Sequence, residues 1–131
     1  MIISVVNKDG YTYFGTKMEC EDSKAVLAVL EDNRGKEDLI VVQHDAVPTF
    51  VFYNSMHDNA YHFAPVYLAK WAEKPTAIIS TQQWNSKQFW LFFAHTFPNE
   101  KGAYLESAKE IARPTKNYES KVAATYGFDK K

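Results

Sequence analysis

The stretch "QFWLFFAHTF", residues 88–97, constrains this chain more than any other. Successive side chains of an extended strand point to opposite faces. Phe89, Leu91 and Phe93 therefore fall on one face and Trp90, Phe92 and Ala94 on the other. Both faces are apolar and both require burial, which predicts a central strand rather than an edge strand.

The chain has the means to bury it. Its 131 residues are 46% hydrophobic and 15% aromatic, and a chain of that length buries roughly two thirds of its unfolded surface in one core. A single globular domain over 1–131 is expected. Disorder is excluded by the same composition, because apolar residues are too many and charges too few. No apolar run reaches the roughly 20 residues of a membrane span, and the start "MIISVVNKDG" lacks a basic region and a cleavage pattern. A soluble, cytoplasmic protein is expected. The lone Cys20 forms no intrachain disulfide and no cysteine-rich zinc site, which fits a reducing compartment.

Around the central strand, local patterns predict the remaining elements. "IISVV", "NKDG" and "YTYFGTKMEC" read as a β-hairpin, with Asp9 and Gly10 at the turn and Tyr11 and Tyr13 on its outward face. "EDSKAVLAVLEDNRG" reads as a helix capped by Asp22 or Ser23 and leaving at Gly35. "DLIVV" and "TFVFY" are expected as strands, joined by the short turn that carries His44-Asp45. Pro65 is expected to start a short helix, "VYLAKWAE", and "TAIIS" to form a further strand. "NEKGAYLESAKEIAR" reads as an amphipathic helix capped by Asn99, with Tyr104, Leu105, Ala108, Ile111 and Ala112 inward. A last helix carries Tyr118, Val122 and Tyr126, and Gly127-Phe128 matches a Schellman exit. The order predicts an α+β domain: a mainly antiparallel sheet of about five to six strands, partly covered by three to four helices.

Chemistry concentrates in "NSMHDNAYHFAP", residues 54–65, together with His44-Asp45. Imidazoles and carboxylates gathered in one place suit a divalent metal. If residues 39–43 and 49–53 form a tight hairpin, however, His44 and His57 sit at opposite ends of it, about 15 Å apart at roughly 3.3 Å per residue. His57 and His62 are also five apart, which misses the i, i+4 spacing of one helical face. Asp58 and His62 keep that spacing and could act as a carboxylate-oriented general base. The alternative is a turn at Asp58-Asn59 with His62 packed beside Phe63. No metal and no cofactor is expected.

Other chemistry is weaker. Cys20 lies among Glu19, Glu21 and Asp22, whose charges suppress a thiolate. No nucleophile elbow and no phosphate-cradling glycine loop occurs. "KQFWLFF" resembles the basic-aromatic strand of RNA-recognition domains, but Gln88 and Trp90 stand where small residues belong, and burial is the better account.

What remains is a surplus of aromatic residues in predicted loops and edges. Trp84 beside Asn85, Tyr61 in the loop with His57, Asp58 and His62, and Tyr11 and Tyr13 on the first hairpin are expected to stand on the surface. Tyr and Trp are favoured at the energetic centres of protein interfaces. An acidic patch of Glu19, Glu21, Asp22, Glu31, Asp32, Glu37 and Asp38 would complement them. Residues 1–65 hold 5 Lys/Arg against 10 Asp/Glu and residues 66–131 hold 10 against 6, so the halves carry opposite charge. A small non-enzymatic protein-binding or accessory protein is expected, an inhibitor or a viral or mobile-element factor being its specific form. Its partner would be another protein or a second copy of the chain. The alternatives are a small hydrolase or lyase using Asp58 and His62, and nucleic-acid binding through the basic C-terminal helices.

Overall fold

In a computed structural model of the chain, residues 2–6, 12–55 and 62–131 are described, with side chains from Asp22 onward. Strand β1 (Ile2–Val6) pairs antiparallel with β2 (Thr12–Thr16). Helix α1 (Lys17–Asn33) then leads to β3 (Leu39–Val42), a 3-10 turn (His44–Ala46) and α2 (Val47–Ser55). Next come β4 (Val66–Leu68), α3 (Pro75–Thr81), β5 (Gln88–Ala94), α4 (Pro98–Lys109), β6 (Ala112–Glu119) and β7 (Ala123–Lys130).

The main sheet has five strands in the order β4-β3-β5-β7-β6. It is mixed: β3 runs parallel to both β4 and β5, whereas β7 runs antiparallel to β5 and β6. The longer pairings are the antiparallel ones. The expected α+β mix is present, with one correction. The sheet's parallel half requires long crossovers, and these are built from segments expected to be hairpin strands.

Strand β5 lies at the centre, and its alternation is the one read from its residues. Trp90, Phe92 and Ala94 face a core made with Val26, Leu27 and Leu30 of α1 and Phe50 and Tyr53 of α2. Phe89, Leu91 and Phe93 face a second core made with Ile78 and Ile79 of α3 and Tyr104 and Ala108 of α4. Helices therefore cover both faces. The buried side of α1 is Ser23, Val26, Leu27 and Leu30, the spacing of one helical stripe.

Five local expectations fail. Lys17–Cys20 extend α1 and not the hairpin, so neither Asp22 nor Ser23 caps it. "TFVFY" belongs to α2, because Pro48 fits a first helical turn, directly after a 3-10 turn that Gln43 caps by accepting from Asp45 N at 2.9 Å. "TAIIS" is helical for the same reason, with Pro75 at its first position. "VYL" is a strand because β3 has unpaired backbone on that side: Ile40 N donates to Pro65 O and Ala69 N donates to Val42 O. The α4 cap is Phe97, not Asn99.

The largest correction is at the C-terminus. The last predicted helix is a β-hairpin, β6-β7, so no Schellman exit exists at Gly127. Gly127 is instead a place of close approach. A Cβ there would stand 2.8 Å from Trp90 Cη2 and 2.9 Å from Trp90 Cζ3. The outer strand β6 is exposed beyond Ala112 and carries Arg113, Pro114 and Lys116, residues that discourage pairing with another sheet edge.

Candidate binding cleft

Parallel pairing puts the carboxyl ends of β3, β4 and β5 at one end of the sheet. From β3 the chain leaves toward the face covered by α2, and from β4 and β5 toward the face covered by α3 and α4. Such a switch in direction opens a crevice outside the strand ends. A cleft of about 160 Å³ lies there, lined by Gln43 and His44 after β3, Lys70–Lys74 after β4, and Glu100 and Tyr104 of α4.

Its walls are held by polar contacts. Gln43 is buried; its Oε1 accepts from Asp45 N and from Thr96 Oγ1, both at 2.9 Å. Its Nε2 donates to Asp45 Oδ2 at 3.2 Å. His44 Nδ1 lies 3.2 Å from Asp45 Oδ1, so the dipeptide forms a local pair at the cleft rim. Glu73 Oε1 accepts from Lys70 N and its Oε2 from the Tyr67 hydroxyl, both at 2.7 Å. Those two hydrogen bonds, the backbone one first, hold the Glu73 carboxyl below its usual range. In return the Glu73 hydrogen bond, then burial and the same negative charge, raises Tyr67.

Tyr104 is the unusual member. It is only 4% exposed, with its ring edge-on to Phe93 at 5.6 Å. Its hydroxyl is buried and has no hydrogen-bond partner among the described residues. A buried polar group without a partner costs free energy. Burial, then the charges of Glu73 and Tyr67, push this phenol well above the ordinary tyrosine range. Two non-glycine residues with left-handed backbone stand at this end of the sheet, Ala72 with φ 69° and His95 with φ 58°. Such strain collects where a fold serves a site.

These shifts give a pH dependence. Tyr67 and Tyr104 have folded values above the ordinary 10.0, so the fold holds both phenols neutral at no cost below pH 10 and loses stability as pH rises beyond it, where unfolding lets them ionise. Glu73 is depressed below 4.5, so its contribution is present above that pH and is lost as pH falls through the folded value. Denaturation midpoints measured from pH 7 to 11 are expected to fall beyond pH 10, and Tyr104→Phe to flatten that fall.

Large apolar side chains crown the same end. Trp71 is 76% exposed and Phe97 is 69% exposed, each three residues beyond the end of its strand, β4 or β5. The two strands flank β3, so their ends are about 10 Å apart at 4.8 Å per strand. The helix expected over 65–73 turned Leu68 and Trp71 inward, whereas both are exposed here; Phe97 did not stand out in the sequence. The available signal was a Trp or Phe just past a short apolar strand, and the helix expected over 65–73 concealed it for Trp71.

The residues picked from the sequence are dispersed. Trp84 is half-buried at the opposite end: its Nε1 donates to Gln88 O at 2.9 Å, and its ring lies edge-on to Phe89 and under Lys130 Nζ, 5.2 Å away. Asn85 is exposed beside it and donates to Glu37 Oε1 at 3.3 Å. Both border a shallower cleft of about 380 Å³ with Lys36, Glu37, Ala64, Pro65 and Gln83. His62 is exposed. Tyr13 lies in β2 opposite Val5. Tyr11, His57, Asp58 and Tyr61 lie outside the described residues.

The premise that separated His44 from His57 fails, since 47–55 is a helix and not the return strand of a hairpin. Among the described residues no three His, Cys, Asp or Glu side chains gather to hold a metal ion. Asp38 does not belong to an acidic surface. It is buried, and accepts from Gly35 N and Ser86 Oγ at 2.7 Å and from Trp90 Nε1 at 3.1 Å. The C-terminal basic residues Arg113, Lys116, Lys121 and Lys130 belong to the β6-β7 hairpin and its turn, not to helices. No described helix is long and apolar enough to cross a membrane. Compared with protein-family models, with curated proteins and with solved structures, the chain matches none.

Proposed function

We propose that this is a small protein-binding protein, acting without chemistry of its own, whose contact surface is the carboxyl end of β3, β4 and β5. The observation that carries this reading is the exposure of Trp71, which lines the cleft, together with that of Phe97, the cap of the helix that supplies Glu100 and Tyr104 to it. Exposed large aromatics grouped around a pocket are the usual anchors of an interface, because they bury much area and lose little entropy. A protein that binds without reacting acts by occupying or recruiting its partner, which is how accessory and inhibitory factors work. A lone cysteine accords with a reducing, cytoplasmic setting.

The contact surface thus moves from Trp84, whose ring is spent on internal packing, to Trp71. Single exposed truncations change folding stability by less than about 0.5 kcal/mol. A Trp71→Ala/Phe97→Ala double variant is therefore expected to melt like the parent. In affinity capture with mass-spectrometric identification, proteins held by the parent and by Trp84→Ala should be lost from the double variant. Hydrogen exchange with the recovered partner should then protect residues 69–74 and 95–101. Equal capture by all three proteins, or protection confined to residues 83–86, sinks the reading.

A further inference from the structure

The docking reading above leaves open what enters the cleft, and the following inference rests on that reading. The cleft volume of about 160 Å³ equals the share of roughly five waters at about 30 Å³ each. Pockets for cofactors and drug-sized ligands begin near 300 Å³. The occupant is therefore the size of a side-chain head group.

Its chemistry follows from which lining groups are still free. Both Glu73 oxygens are taken, by Lys70 N and by Tyr67. The Gln43 amide is spent on Asp45 and Thr96. What remains is rich in donors. The Tyr104 hydroxyl has no partner among the described residues. The Lys74 ammonium lies 6.0 Å from the centre of the Tyr104 ring, and its side chain is exposed.

We propose that the cleft receives a side-chain carboxylate of the partner protein, an aspartate or glutamate, which accepts from the Lys74 ammonium and the Tyr104 hydroxyl. Trp71, which also lines the cleft, packs on the apolar stem of the incoming residue. An ionised acceptor makes the strongest hydrogen bonds to such donors. In the lining, the ammonium groups of Lys70 and Lys74 offset the carboxylates of Glu73 and Glu100, the latter on the first turn of α4.

The test is a titration of the isotopically labelled full-length protein, read by NMR, with N-acetylglutamate α-amide, whose only charge is a side-chain carboxylate. N-acetylglutamine α-amide is the neutral match. The acid should shift the Trp71 indole N–H and the 70–74 amides saturably, and bind at least about tenfold more tightly than the neutral compound. Lys74→Gln and Tyr104→Phe should each weaken the acid about tenfold, the equivalent of one charged hydrogen bond. Tyr104→Phe should meanwhile keep or gain stability, a result that a purely structural hydroxyl would not combine with lost binding. Equal affinity for the two compounds, no saturable shift at Trp71, or unchanged affinity in Lys74→Gln overturns the carboxylate assignment. The docking reading falls separately, on the capture behaviour of the Trp71→Ala/Phe97→Ala variant.

Discussion

Phe92→Ala is expected to destabilise the protein by about 3–5 kcal/mol, the range for truncating a fully buried Phe. Phe92 is 0% exposed, at the middle of the central strand, with its ring centroid 5.7 Å from that of Phe50 in α2. Its backbone is fixed between Val42 of β3 and Thr125 of β7. The sheet on one side and two helices on the other cannot collapse into the void, so the lost contacts are not recovered. Domains of this kind are stable by about 5–15 kcal/mol, so about a fifth or more of the total disappears. At a urea slope of about 2 kcal/mol per molar the midpoint should drop by about 2 M. Phe92→Leu, which keeps most of the volume, should lose less than about 1.5 kcal/mol. A Phe92→Ala midpoint within about 0.5 M of the parent would contradict the placement of β5 at the centre of the sheet.

The second large effect is expected at Asp38. Its carboxylate ties three separate pieces together: Gly35 in the α1-β3 connection, Ser86 in the turn before β5, and Trp90 within β5. Asp38→Ala removes the shared acceptor and leaves a buried indole N–H and a backbone N–H without partners. Hydrogen bonds to a charged group, and donors left stranded by its removal, put the loss at about 3 kcal/mol. The Trp90 indole also packs over Gly127, so a shift of that ring should disturb the β5-β7 register. Urea denaturation followed by near-ultraviolet circular dichroism measures both consequences. Unchanged stability, with an unaltered Trp90 signal, would remove Asp38 from the core.

Both effects were unequally visible in the chain. The two-faced apolar pattern of 88–94 was sufficient to place β5 at the centre, because it leaves no face for water. Asp38 was taken for part of an acidic surface, since a carboxylate is expected outside the core unless paired. Its three partners come from residues up to 52 positions away. The helix and strand assignments of "TFVFY", "VYL" and "TAIIS" were inverted for one reason. Each is a short apolar run, buried nearly all round or paired at an edge, and period alone does not separate a buried helix from a buried strand at that length. Proline was the better guide for two of them: Pro48 and Pro75 each lie in the first turn of a helix, whereas Pro65 precedes strand β4.

The candidate site was the least legible part. Trp84 was expected to be exposed because its loop neighbours are polar, but a backbone carbonyl four residues on accepts its indole N–H and folds it back. Trp71 was hidden inside an expected helix. His44-Asp45 was noticed for its chemistry and then set aside by a hairpin that does not form.

From the sequence alone came the α+β character, helix α1 beyond Asp22, the presence of α4, though it ends at Lys109 and leaves Ala112 to β6, and a strand that must be covered on both faces. Those follow from local periodicity and the need to keep apolar side chains out of water. The tertiary structure alone decided that β3 runs parallel to its two neighbours, and this is what creates the cleft. Strand direction depends on which distant segments exchange backbone hydrogen bonds, and no residue of β3 carries that information by itself. Once β3, β4 and β5 point the same way, their exits bring Gln43, Lys70–Lys74 and Tyr104 together from segments up to 61 residues apart, counted from Gln43 to Tyr104.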